Sequence, residues 1–288
     1  MTDKATRLDA AARAKRWGDL RKRALSAMVL GPAAIACIWL GAEAFTGMLA
    51  LAVALLAWEW VHMCGQRVRV LPGMAVPLAV FAAGTLAVAD HVRLALAMLV
   101  VGFLIAWWFA RSMAEALTQP PLQLALGVLY IGLAGIALIE LRHDTEAGRA
   151  NVLFLFLVVW ASDIGAYAAG RCFGGPKLWP AVSPNKTWSG AVGGLLAAIL
   201  IGLAAALSLT PWASAPSVVA VAALLGVASQ AGDLLESAIK RHFHVKDSSS
   251  LIPGHGGLLD RLDGVLAAAP VASLLSFGLG YGRVLWDW

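Results

Sequence analysis

Two polar clusters interrupt an otherwise apolar chain, and their residue types suit phosphate and metal chemistry. The larger begins at Asp233 and Glu236, runs through Ser237, Lys240, Arg241, Lys246 and Asp247, and ends on Pro253-Gly254-His255-Gly256-Gly257 and Asp260-Arg261-Leu262-Asp263. Asp260 and Asp263 are three residues apart, which puts both carboxylates on one face if a helix begins there. Mg²⁺ requires this kind of setting, because it binds through one or two carboxylates plus substrate phosphates. Arg261, between them, can clamp a phosphate. The second cluster reads Gly170-Arg171-Cys172-Phe173-Gly174-Gly175-Pro176-Lys177, then Ser183-Pro184-Asn185-Lys186-Thr187-Trp188-Ser189-Gly190. Its glycines free backbone N–H groups to face phosphate oxygens, and it leads into a helix N-terminus near Ser189, a ready anion site. It is not a Walker A loop: Gly170 and Gly175 have the spacing, but Pro176 stands where lysine should follow. Taken alone it reads equally as a basic loop lying against anionic headgroups.

The carboxylates inside apolar runs need separate weighing. An ionised carboxylate deep in a bilayer costs at least ~2.5–3.5 kcal/mol, so such groups usually serve a partner, a pathway or an ion. Asp163, flanked by small residues inside the run from Val152 to Ala169, and Asp233 read as functional on this ground. Glu59 and Glu140 lie near span ends, within reach of headgroups, and read as structural. His242, His244 and His255 lack the fourth ligand and the spacing of a zinc site, and read as locally hydrogen-bonded.

The elements that position these residues follow from composition. Of 288 residues, 60% are hydrophobic and 14% charged, against about 25% charged in soluble domains. Mean hydropathy is +0.77. A disordered chain, a fibrous chain and an ordinary soluble enzyme are excluded. Spanning helices need ~20 apolar residues, and nine runs qualify, near 25–41, 44–64, 71–89, 93–110, 122–140, 151–169, 190–210, 217–236 and 265–281. The sequence therefore predicts an all-α, polytopic helical membrane protein of about nine transmembrane helices. A basic arm, residues 1–24, precedes one membrane-embedded catalytic domain, 25–288, with cytoplasmic loops at 170–189 and 237–264. Alternating the nine spans from a cytoplasmic N-terminus collects eighteen of the 22 Lys and Arg on the inner side, the bias expected of cytoplasmic segments. The net charge of +5 belongs to the arm, so it implies no nucleic-acid surface. Cys37, Cys64 and Cys172 are far apart and form no disulfide framework; they read as buried small hydrophobes. Trp39, Trp58, Trp60, Trp107, Trp108, Trp212, Trp286 and Trp288 fall near span ends, as interface anchors or as ordinary packing.

The run from Ser237 to Asp263 resembles the signature of the phosphatidate cytidylyltransferase (CDP-diacylglycerol synthase) family. That signature reads Ser-x-x-Lys-Arg, four residues, Lys-Asp, then Pro-Gly-His-Gly-Gly, two residues, Asp-Arg-x-Asp. Trp160 to Asp163, Ser183 to Thr187 and Gly232-Asp233 are similar to the same family. One departure is visible: the family often carries Glu after Lys-Thr-x, where this chain has Ser189. The resemblance implies a bacterial inner-membrane enzyme, its site facing the cytoplasm, that makes CDP-diacylglycerol and pyrophosphate from CTP and phosphatidate. It implies Mg²⁺, with a second metal ion as an option, held by Asp233, Asp260 and Asp263. Lys186, Lys240, Arg241 and Arg261 then hold phosphates. Asp163, Arg171, Thr187, Ser237, Lys246, His255, Gly256 and Gly257 complete the substrate site, the two glycines allowing backbone to approach the nucleotide. Helices rich in Gly and Ala also suit a homodimer. Two rival classes share much of this character. A transporter also has many spans and intramembrane acids, but its polar residues need not crowd one face. A CTP-dependent lipid-alcohol kinase would release CDP instead of pyrophosphate.

Overall fold

The computed structural model describes residues 28–114, 119–142, 146–252, 256–280 and 282–288. The basic arm and His255 lie outside the described residues. Nine helices follow one another: α1 (Met28–Leu40), α2 (Ala42–Met63), α3 (Ala75–Val88), α4 (Val92–Ser112), α5 (Pro121–Arg142), α6 (Glu146–Phe173), α7 (Trp188–Leu209), α8 (Ala215–His242) and α9 (Leu259–Leu279). Each of the nine apolar runs overlaps one of these helices. Seven are long and apolar enough to cross a membrane, and the chain is an integral membrane protein. The described parts of α1 and α3 are shorter. At ~1.5 Å per residue, the 14 residues of α3 reach about 21 Å, less than the ~30 Å hydrocarbon core. The expected nine full spans are therefore seven long helices and two short ones, with α1 breaking from α2 at Gly41, whose φ is +132°.

Apolar length locates the helices but not their ends. α6 and α8 each have 28 residues, or about 42 Å, and so project roughly 12 Å beyond a ~30 Å core. Ser237, Lys240 and Arg241 therefore lie on the last turns of α8, not in a loop. α9 likewise begins six residues before the predicted 265, which makes Asp260 and Asp263 helical. The other exception to an all-α reading is a small antiparallel hairpin, β1 (Lys177–Trp179) with β2 (Ser183–Thr187), pairing Lys177 with Thr187 and Trp179 with Ser183. Its backbone groups leave α6 where no helix can continue to satisfy them, and cross-strand bonding does so instead.

Hydrogen bonds fix which helix ends meet. At one end Trp60 Nε1 donates to the carbonyls of Gln123 and Leu124 at 3.1 and 3.2 Å, while its ring packs edge-on against Phe243. This joins the α2 C-terminus, the α5 N-terminus and the exit of α8. At the other end Asn151 donates to the carbonyl of Arg283 (3.0 Å) and accepts from Leu285 N (2.9 Å). There Trp286 Nε1 also donates to Thr210 Oγ1 at 2.8 Å. The tryptophans divide between the two predicted uses: Trp60 and Trp286 are buried, whereas Trp39, Trp108, Trp212 and Trp288 are exposed. The cysteines divide too. Cys64 is buried; Cys172 is exposed, contrary to expectation, because it sits on the projecting end of α6.

Thr187 illustrates how sequence sets a boundary here. Its extended backbone (φ −123°, ψ 157°) makes it the N-cap of α7, and its Oγ1 accepts from Gly190 N at 3.1 Å. Replacing such a cap by alanine costs about 1 kcal/mol. We expect Thr187→Ala to lower the thermal midpoint in detergent by that equivalent and Thr187→Ser to retain it. Equal midpoints for all three proteins would remove the cap's energetic role.

Candidate active site

At the end shared by the termini of α2, α5, α8 and α9, three carboxylates converge. Asp233 and Glu236 project from α8, three residues apart, and Asp263 comes from the second turn of α9; one oxygen from each lies within 4.8 Å of the others. Gly232 allows this approach: a Cβ there would sit 2.6 Å from the carbonyl oxygen of Asp263, so any side chain would push the helices apart. Glu236 and Asp263 are buried. Asp263 Oδ1 accepts only the Gly264 N–H, at 2.8 Å, among the described bonds. Glu236 Oε1 has no hydrogen-bond partner among the described residues.

An orphaned buried carboxylate oxygen needs a partner, and the donor set fits a hard divalent cation. The ~2.1 Å Mg–O distance places opposite ligands ~4.2 Å apart, close to the observed spread. The surrounding charge agrees. Asp163 lies within electrostatic reach of Asp233, Asp263, Lys186 and Arg261. Five carboxylates (Asp163, Asp233, Glu236, Asp260, Asp263) against three cations (Lys186, Lys240, Arg261) leave a formal charge of −2.

Asp260 is not drawn into the trio. Its Oδ1 lies 2.6 Å from Lys240 Nζ. Its Oδ2 accepts from Ser248 N (3.0 Å), Ser248 Oγ (3.0 Å) and Gly257 N (2.8 Å). Lys240 also reaches Glu236 Oε2 at 2.6 Å, one helical turn away, and so bridges α8 to α9. The i, i+3 spacing of Asp260 and Asp263 is present, yet the two carboxylates serve different partners.

The hairpin brings the second cluster to this site. Lys186 Nζ pairs with Asp233 Oδ2 at 2.6 Å, both side chains partly accessible. Arg241 Nε donates to the carbonyl of Val182 at 3.4 Å, tying the end of α8 to the hairpin turn. Thr187 is buried as a cap, and Ser189, in the departing family position, donates to the Gly174 carbonyl. Arg171 donates to Tyr167 OH, one turn earlier on α6, at 3.0 Å. Arg241, Lys246 and Arg261 are exposed, and Ser237 is half-buried. Gly256 has φ +86° and Gly257 is buried. A Cβ on Gly257 would lie 1.9 Å from Ser248 Oγ and 2.6 Å from Glu59 Oε1, so the space its missing side chain leaves is filled from within.

Two residues of this site carried no assignment from sequence. Glu236 repeats the i, i+3 spacing with Asp233, a signal that was present. Glu59, expected to reach headgroups, is instead fully buried, and Glu140 is buried as well. Proximity to a span end cannot distinguish a carboxylate facing lipid headgroups from one facing the next helix. Ser249 Oγ donates to Glu59, and Ser248 Oγ, 3.0 Å from Asp260 Oδ2, also lies 3.3 Å from Glu59 Oε2.

Known proteins are similar to this chain in sequence. A sequence profile of the cytidylyltransferase family matches residues 21–277. A phosphatidate cytidylyltransferase of Brucella suis is 39% identical over 270 residues, covering 90% of this chain and 93% of its own length. One from Haemophilus influenzae is 34% identical over 284 residues, covering 90% and 99%. One from Staphylococcus saprophyticus is 41% identical over 150 residues, covering 52% and 56%. With most of its length matched, the chain belongs to the cytidylyltransferase family.

Proposed function

We propose that this protein transfers the cytidylyl group of CTP to phosphatidate, giving CDP-diacylglycerol and pyrophosphate. A phosphate oxygen of the lipid attacks the α-phosphorus of CTP, and the bond from that phosphorus to the bridging oxygen of the β-phosphate breaks. A phosphomonoester carries close to two negative charges near neutral pH, so the nucleophile needs no general base. What the site must supply is charge neutralisation and alignment of two polyanions. The observation that carries this reading is the convergence of Asp233 with the buried Glu236 and Asp263, set at the same end as Lys186, Lys240, Arg241 and Arg261. We assign the divalent ion to the trio, with Asp163, within electrostatic reach of Asp233 and Asp263, for a second cation. When bound, Mg²⁺ offsets charge on the phosphates and on the departing pyrophosphate. Lys186 is placed to exchange Asp233 for a phosphate oxygen, and Arg261 to take another. Asp260 holds Lys240 in place and stands behind the metal set.

Orientation follows from charge. Among the described residues, alternating the spans puts Arg67, Arg69, Arg111, Arg171, Lys177, Lys186, Lys240, Arg241, Lys246 and Arg261 on the site's side, against Arg93, Arg142, Arg149 and Arg283 opposite. Such a bias assigns the site to the cytoplasm, where CTP is available, with the N-terminus on the same side and the bundle in a bacterial inner membrane. The deciding experiment supplies purified protein with phosphatidate or, in parallel, diacylglycerol as the lipid alcohol, together with Mg²⁺ and CTP labelled at the α- or γ-phosphate. The expected result is α-label in lipid and γ-label in pyrophosphate. Lipid that carries γ-label, with CDP released, would instead identify a lipid kinase.

A further inference from the structure

Glu59 is wholly enclosed, and the four hydrogen bonds described for it all come from residues 248–259, about 190 positions away. Its Oε1 accepts from Ser249 Oγ (2.6 Å) and Leu258 N (2.8 Å). Its Oε2 accepts from Leu259 N (2.7 Å) and faces Ser248 Oγ at 3.3 Å. α9 has Leu258 at its N-cap, a side chain that cannot cap. The amides of Leu258 and Leu259, at the helix entry, are satisfied by a carboxylate from α2 instead, and a negative charge is well placed at that end of the helix dipole.

The clamp does more than close a helix end, because Ser248 Oγ also lies 3.0 Å from Asp260 Oδ2. A continuous path runs from Glu59 to Ser248, Asp260, Lys240 and Glu236, each step 3.3 Å or shorter. It ends on the carboxylate whose other oxygen is orphaned. The turn that Glu59 holds also carries Asp260 and leads directly into Asp263.

We propose that Glu59 is a positioning residue for nucleotidyl transfer: from α2 it fixes the first turn of α9 and the Ser248–Asp260–Lys240 path, and so sets where Glu236 and Asp263 present their oxygens. This rests on the reading of Asp233, Glu236 and Asp263 as the metal site. Partners one shell behind metal ligands typically govern ~10–100-fold in affinity or activity.

The test uses Glu59→Gln, which keeps shape but places an amide nitrogen against two donors. Mn²⁺ binding to the purified, substrate-free protein is measured by electron paramagnetic resonance, beside steady-state kinetics and the thermal midpoint. Mn²⁺ affinity and kcat are expected to fall about tenfold or more, with the KM for CTP nearly unchanged. Ser248→Ala cuts the path but leaves the α9 amides capped, and should weaken Mn²⁺ binding in the same direction with little change in midpoint. A Glu59→Gln protein that melts earlier yet binds Mn²⁺ and turns over like wild type overturns the proposal, leaving Glu59 a simple cap. Asp263→Asn in the same binding assay separates the two readings. If it leaves Mn²⁺ affinity unchanged, the metal assignment itself fails. If it abolishes binding while Glu59→Gln and Ser248→Ala do not weaken it, only the positioning role fails.

Discussion

Asp263→Asn is expected to lower kcat for CTP incorporation into lipid by about 10³-fold, an effect of ~4 kcal/mol on the barrier, while leaving the protein folded and more heat-resistant without metal. Both halves follow from one geometry. The substitution keeps a carbonyl oxygen that can accept the Gly264 N–H bond, so the local backbone has no reason to move. It removes one of three negative charges held within 4.8 Å at a buried position, where like charges oppose one another in a weakly screening medium. Relief of that opposition stabilises the metal-free fold; the same relief removes the affinity on which the divalent ion depends. Adding Mg²⁺ should therefore raise the midpoint of the wild type and leave the variant nearly unmoved. Activity lost with stability gained is the signature of a site kept strained for function. Wild-type kcat and an unaltered Mg²⁺ requirement in Asp263→Asn would remove Asp263 from the metal set.

How much of this was legible in the sequence depended on what each pattern measures. Apolar runs measure bilayer thickness, so the nine described helices were located, but the projecting ends of α6 and α8 and the first six residues of α9 were not. Those ends hold Ser237, Lys240, Arg241, Asp260 and Asp263, which is why a segment read as loop is partly helix. Spacing along the chain placed Asp260 and Asp263 on a shared face. It could not reveal that Lys240, twenty residues earlier, and Ser248 occupy Asp260. Glu236 was one turn from Asp233 and lacked only the knowledge that α9 would face it. Glu59 was the least legible, because its partners lie almost 200 residues away and no local pattern reports them.

Lys240→Met is expected to produce the largest loss of stability. Lys240 Nζ stands 2.6 Å from both Glu236 and Asp260, whose side chains are 0% and 5% exposed. Methionine has similar length and packs in the same space, but leaves two enclosed carboxylates without their cation. Breaking a buried ion pair from one side costs ~3–5 kcal/mol, mostly the cost of the charge left behind. The thermal midpoint in detergent should fall by roughly 10 °C at ~2–4 °C per kcal/mol. Adding Glu236→Gln to Lys240→Met removes one stranded charge and should recover part of that loss, a coupling that a double-mutant cycle isolates. Catalysis should not recover, because Glu236 belongs to the metal set and its charge is then absent. The divergence separates two roles that a single substitution confounds: Lys240 as counter-ion to the fold and Glu236 as ligand to the reaction. A Lys240→Met protein that melts with the wild type would show that neither carboxylate depends on it.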